Sequence, residues 1–151
     1  MIRKAFIAAV CLFLFAGCAA VSPLSSIGPA VQGYIYWKEG EARKYFKRTP
    51  EDVYSAIKLT VLNDLKHEVV SEMRLNGYDM ITRSQNHKFH IHVEQTDPMI
   101  SVCKVRIDFM GDKPYAELLY RSMDKYLGTE TIGVIEETNN GEVRERRMFR
   151  K

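Results

Sequence analysis

Ile100-Ser-Val-Cys-Lys-Val-Arg-Ile-Asp-Phe-Met110, followed at once by Gly111-Asp112-Lys113-Pro114, is the stretch from which the fold can be read. Its first part alternates Ile, Val, Val, Ile and Phe-type residues with Ser, Lys, Arg and Asp, the period of a strand with one face in a core and one in solvent. Its second part starts a helix. Asp112 supplies a capping carboxylate, Pro114 occupies the first turn, and Gly128 stands where a left-handed stop is needed. Between them Tyr115, Leu118, Leu119, Met123 and Tyr126 form the expected buried stripe.

Working back from Ile100, three short segments have strand character: His67 to Met73, Tyr78 to Arg83 and Lys88 to Glu94. They are separated by Asn76-Gly77 and by Ser84-Gln85-Asn86, both of which are turn chemistry. Ahead of them Thr49-Pro50-Glu51-Asp52 gives a capping threonine, a proline in the first turn and two acids near the positive helix end. Val53, Ala56, Ile57, Val61 and Leu65 then recur at helical spacing, which leaves Glu51, Lys58 and Asp64 for solvent and ends the helix near Lys66. The segment from Gly33 to Phe46 is rich in aromatic and β-forming residues, and it reads as one strand with a bulge at Gly40. Its rings could face a membrane interface; their spread over both strand faces favours core and sheet packing.

The expected fold is therefore α+β: an antiparallel sheet of four to five strands with two helices packed on one face, in the order β-α-β-β-β-β-α. Beyond Gly128, residues 129–151 carry Asn140-Gly141 between two apolar-charged arms, and they read either as a terminal hairpin or as a tail. The acids concentrate before Gly141 and the bases after it, so the arms are expected to attract each other across the turn.

The start of the chain is of another kind. Arg3 and Lys4 precede an apolar run from Ala5 to Phe15, and Ala16-Gly17-Cys18 closes it with two small residues and a cysteine. A cationic head, an apolar stretch and small residues at a cut define an export signal. The segment resembles the lipobox of bacterial lipoproteins, with Phe15 where leucine is usual. That resemblance implies a signal peptide over residues 1–17, cleavage before Cys18, and Cys18 carrying a diacylglyceryl group and an acyl chain. A single acyl chain holds a protein only marginally, at about 0.8 kcal/mol per buried methylene, whereas three chains anchor it firmly. Ala19, rather than an aspartate, follows the cysteine; by the same resemblance the expected address is the outer membrane, facing the periplasm. Residues 18–32 contain Ser, Pro and Gly and no charge, so they read as a flexible tether between lipid and an α+β domain at 33–128.

Composition bounds the rest. The whole chain has a formal charge of +3, but losing Arg3 and Lys4 with the signal leaves 20 basic residues against 19 acidic ones. That near-balance carries no basic footprint for nucleic acid. Of three cysteines, Cys11 leaves with the signal and Cys18 is the anchor. Cys103 therefore remains as a lone thiol, expected to be a semi-buried strand residue rather than a nucleophile.

Together, Tyr36 with Gly40-Glu41-Ala42 and Tyr45, Val53-Tyr54 and Ala56, and Val105-Arg-Ile-Asp-Phe-Met-Gly111-Asp112 resemble a family of small bacterial lipoproteins catalogued as domain of unknown function 3568 (DUF3568). The resemblance covers about residues 33–128. It implies a lipid anchor and an α+β domain, and it brings no activity or catalytic residues.

The sharpest chemical candidate is Asn86-His87-Lys88-Phe89-His90-Ile91-His92-Val93-Glu94. In a strand His90, His92 and Glu94 share one side, a donor set suited to a zinc-like ion. The competing expectation is a polar outer face on a one-sided antiparallel sheet, which has the same alternation. Three histidines within six residues also suggest a modest stability response to acid. There is no Gly-rich phosphate loop and no Gly-x-Ser-x-Gly elbow, and Glu136-Glu137 are adjacent rather than facing. The sequence thus points to a membrane-anchored binding or envelope-assembly module with no cofactor and no evident small-molecule substrate, held to membrane lipid through Cys18 and partnered by an envelope protein. The alternative is a metal-dependent enzyme or metal-binding protein using His90, His92 and Glu94.

Overall fold

A computed structural model describes residues 32–138 and 141–148. The expected signal peptide, Cys18 and the expected tether up to residue 31 lie outside the described residues, as do Asn139 and Asn140. Ten elements follow one another: β1 (Tyr34–Lys38), β2 (Glu41–Phe46), α1 (Pro50–Leu59) continued by a π-helical turn (Thr60–Asp64), β3 (Glu68–Arg74), β4 (Tyr78–Ser84), β5 (His87–Asp97), β6 (Ile100–Ile107), α2 (Lys113–Leu127), β7 (Gly133–Glu137) and β8 (Val143–Arg147).

The architecture is α+β, with one sheet and two helices, but the sheet is larger than expected and mixed. Eight strands run in the order β3-β4-β5-β6-β2-β1-β7-β8. All neighbours are antiparallel except β1 and β7, which are parallel with Ile35 opposite Val134. Two corrections account for the difference from four or five antiparallel strands. Residues 33–46 are a hairpin, not one bulged strand: Glu39 and Gly40 both take positive φ, and Lys38 pairs with Glu41 directly across the turn. The C-terminal segment forms the β7–β8 hairpin and adds it to the same sheet beside β1.

One face of the sheet is sealed. Ile35, Trp37, Ala42, Phe46, Met80, Phe89, Ile91, Val93, Cys103, Val105 and Ile107 alternate inward and meet Val53, Ala56, Ile57 and Val61 of the first helix and Ala116, Leu119, Tyr120 and Met123 of the second. Burying a large apolar side chain contributes about 1.5–3 kcal/mol, so this two-layer contact is the main source of stability. Both helices start where the sequence says. The Thr49 hydroxyl accepts from the Asp52 N–H at 3.2 Å, and the Asp112 carboxylate accepts from the Tyr115 N–H at 2.9 Å. Gly128 ends α2 in the left-handed conformation, φ 63°.

The helices depart from expectation in two places. The α-geometry of the first stops at Leu59, because the Thr60 hydroxyl donates back to the Ala56 carbonyl at 2.9 Å and the next turn widens, with the Leu65 N–H reaching the Thr60 carbonyl. In α2 the stripe is rotated: Leu118 is 50 % exposed and Tyr126 38 %, while Tyr120 is fully buried. The reason is polar. The Tyr120 hydroxyl donates to the carbonyls of Ala42 (3.0 Å) and Cys103 (2.7 Å), which turns that face of the helix onto β2 and β6.

The same rotation carries Asp124 inward onto Lys44, which is 1 % exposed and sits between Ala42 and Phe46 on the core side of β2. Thr131 accepts from Lys44 Nζ at 2.7 Å and donates to Asp124 at 2.6 Å, and Thr129 donates to the same carboxylate at 2.5 Å. Burial lowers the Lys44 pKa, and the Asp124 carboxylate opposes that shift. Breaking a buried pair by removing one partner costs about 3–5 kcal/mol, because the other charge is stranded. Asp124→Ala is expected to destabilise by about that amount in urea unfolding. Lys44→Met should cost less, since Thr129 and Thr131 still donate to the carboxylate; equal losses would contradict this arrangement.

Candidate functional site

The opposite face of the sheet has no helix over it among the described residues. It presents Tyr36 and Lys38 from β1, Glu41 and Arg43 from β2, Lys104 and Arg106 from β6, His90, His92 and Glu94 from β5, and Asp79 and Ile81 from β4. Over β4, β5 and β6 this face hollows into an open groove of about 680 Å³, in which Lys88, His90, His92, Lys104 and Arg106 are lined up with Glu41, Asp79, Asp108, Ile81 and Phe109.

The end of the groove is built by backbone. Asp108 takes φ 52° and locks β6 onto the start of β5: its N–H donates to the Lys88 carbonyl, its carboxylate accepts from the Lys88 N–H, both at 2.8 Å, and His87 lies at 2.6 Å from the other oxygen. The chain then turns outward, leaving Phe109 87 % and Met110 80 % exposed. Gly111 returns it against Gly40. A Cβ at Gly111 would strike the Gly40 carbonyl oxygen and meet Trp37 at 2.8 Å, so the sequence's Gly40 and Gly111 are two halves of one close backbone approach.

His92 and Glu94 come together as their spacing requires. His92 Nε2 lies 3.1 Å from Glu94 and Nδ1 lies 2.7 Å from Asp79, a partner across the β4–β5 ladder that spacing within one strand cannot reveal. With a carboxylate at each ring nitrogen, both nitrogens act as donors, the arrangement of an imidazolium. Burial works against the charge, but the two carboxylates outweigh it and raise the His92 pKa. Glu94 is also held by Lys104, and its pKa is lowered: desolvation opposes, while the Lys104 and His92 hydrogen bonds prevail. His90 is exposed and makes no side-chain hydrogen bond among the described residues. No cluster of three or more His, Cys, Asp or Glu side chains among the described residues is arranged to hold a metal ion.

His67 is the histidine that sequence reasoning placed simply at a strand start. It is 4 % exposed, its Nδ1 lies 3.2 Å from Thr82, its Nε2 lies 2.9 Å from the Tyr115 hydroxyl, and its ring packs 4.4 Å from Phe89. Desolvation lowers its pKa. Cys103 is fully buried rather than semi-buried, and burial pushes its thiol up to about 12, which removes it as a nucleophile. The terminal hairpin corrects another expectation. The acids of its first arm do not pair with bases of the second: Glu136 meets Lys113 at the start of α2, Glu137 meets Tyr36 and Lys38 of β1, and Arg146 meets Glu117, while within the second arm Glu142 meets Arg144 and Glu145 meets Arg147. The Tyr36 pKa rises to about 12, through desolvation first and the Glu137 carboxylate second.

With this geometry in view, the chain can be classed. It matches the family described as protein of unknown function (DUF3568) over residues 2–125, well over half its length. The chain belongs to that family. The match begins at residue 2 rather than at residue 33, so it is wider than the resemblance read from residues 33–128. No curated protein matches the chain. No helix among the described residues is long and apolar enough to cross a membrane.

The two perturbed histidines act on stability with opposite sign. His67, depressed in the fold, contributes stability that is present above the unfolded pKa of about 6.5 and is lost as pH falls below it. His92, raised in the fold, contributes stability that is present below that pKa and lost as pH rises through its folded value. Between pH 7.5 and 5.5, His92→Gln should therefore lose more melting temperature than the unsubstituted chain and His67→Phe less; the reverse order would contradict both assignments. Cys103 should resist iodoacetamide in the native chain and react once it is unfolded, as peptide mass mapping of the alkylated site would record.

Proposed function

We propose that the chain is a lipid-anchored, non-catalytic binding or envelope-assembly module whose working surface is the uncovered face of the sheet. Lipid on Cys18 and residence at the outer membrane facing the periplasm belong to this reading. The observation that carries it is the asymmetry of the sheet. One face is sealed by both helices, and the other keeps a groove lined by polar and charged side chains that make paired contacts but assemble no nucleophile and base. The family match supports a leader in the same unit as the domain, since it begins at residue 2.

The second reading, a metal-dependent enzyme or metal carrier using His90, His92 and Glu94, draws on the approach of His92 to Glu94 on one strand face. Metal analysis separates the two readings: stoichiometric zinc or copper that disappears in His92→Ala would favour the second.

Mass spectrometry of the mature amino terminus is expected to find a chain starting at Cys18 with three acyl chains, and Cys18→Ser should release the protein from membranes. An unmodified start, or membrane retention of the Cys18→Ser chain, would overturn the anchor. A cross-linked membrane partner should be lost on Lys104→Glu in the open face and kept on Lys125→Glu in α2; loss in neither would overturn the binding face.

A further inference from the structure

Among the described residues many charges on the open face are paired. Lys38 meets Glu137, Arg43 meets Glu41 at 2.6 Å, and Lys104 meets Glu94. Around the Phe109 end of the groove the pattern fails. Arg83 stands directly opposite Lys88 across the β4–β5 ladder, and Arg106 stands opposite His90 across the β5–β6 ladder. Two cations directly opposite each other, as Arg83 and Lys88 are, destabilise a sheet. Among the described residues neither Arg83 nor Lys88 has a carboxylate in ion-pair contact with its side chain, although Glu68 stands opposite Arg83 across the β3–β4 ladder, and Arg106 meets Glu41 only at 4.0 Å, where Glu41 is already held by Arg43. Asp108 also faces this corner, but its oxygens are taken by His87 and by the Lys88 N–H. Beside these cations lie two apolar side chains, half-buried Ile81 and the almost fully exposed ring of Phe109.

The geometry points to a binding site for a small soluble organic anion, with its phosphate or carboxylate head between Lys88 and Arg106 and its apolar body against Ile81 and Phe109. This rests on the reading of the open face as the working surface, and it names the class of ligand. An anion there would neutralise Lys88 and Arg106 together, and the groove, about 680 Å³, is of the size that holds a small molecule. The guanidinium of Arg106 can grip an oxyanion through two parallel N–H bonds, while Lys88 contributes a point charge. Phe109 then has a role for its exposure: it covers the apolar end of the bound molecule.

Calorimetric titration of the full chain in phosphatidylcholine nanodiscs with 1-naphthyl phosphate tests the site. Binding is expected to weaken about tenfold in Lys88→Gln and in Arg106→Gln, the loss of one charge-assisted contact each, and roughly fivefold in Phe109→Ser. Lys47→Gln, away from the groove, should leave it unchanged. Inorganic phosphate and 1-naphthol should each bind at least about tenfold more weakly than the ester, since each lacks one half of the ligand. Lys88→Gln should also melt no lower than the unsubstituted chain, because it removes a repulsion. Equal binding by all variants, equal binding of 1-naphthol, or a clear drop in the melting temperature of Lys88→Gln would overturn the site. So would anionic phosphatidylglycerol nanodiscs, or an acidic peptide, binding through these residues when 1-naphthyl phosphate does not. In that last case the open face stands as a binding surface and only the ligand class fails, whereas survival of the cross-linked partner in Lys104→Glu bears on the face itself.

Discussion

Lys44 and Asp124 hold the two layers of this protein in register. A lysine on the core side of a strand is tolerable only if its ammonium finds an anion and further polar partners, and here those partners come from two separate places, α2 and the loop that leads to β7. The pair therefore fixes three things at once: which face of α2 looks at the sheet, where the chain leaves that helix, and where β7 begins. A salt bridge of this kind adds little to net stability, and its value lies in choosing one arrangement among several apolar packings of similar area. The Tyr120 hydroxyl bonds to Ala42 and Cys103 act in the same sense one turn earlier in α2.

With α2 fixed, the sheet becomes strongly two-sided. Both helices lie on one face, and the core is closed by Trp37, Phe46, Phe89 and their neighbours. The other face must be polar to stay in water, and most of its charges are tied into pairs across neighbouring strands, as Lys104 is to Glu94 and His92 to Asp79. Such pairs are individually weak at an exposed surface, so they shape the face more than they stabilise it. Against that background the cationic corner around Lys88 and Arg106 stands out as a local imbalance, and the outward turn at Asp108 places an aromatic ring beside it.

Much of this was legible in the residues. Thr49-Pro50 and Asp112-Lys113-Pro114 are local signals, and each cap forms as its chemistry dictates because capping needs only atoms three residues apart. The alternation of Phe89, Ile91 and Val93 with His90, His92 and Glu94 likewise set the two faces of β5. The hairpin at Glu39-Gly40 was open to misreading, since one glycine in an aromatic run serves a bulge as well as a turn. Lys44 carried a usable signal: in period two it falls with Ala42 and Phe46, not with Arg43 and Tyr45.

By itself, then, the sequence determined the α+β class, both helix starts, the side of each strand that is apolar, and the membership of a family whose match runs over residues 2–125. These follow from interactions between residues a few positions apart, or from patterns that repeat along one element. Only the tertiary structure decided that β7 lies parallel to β1, that α2 is turned toward Lys44, and that Asp79 rather than a third ligand completes the surroundings of His92. Each of those joins residues far apart in the chain, and such choices are made by competition among packings: a buried charge or hydroxyl must find its partner, and no local pattern states which distant group that will be.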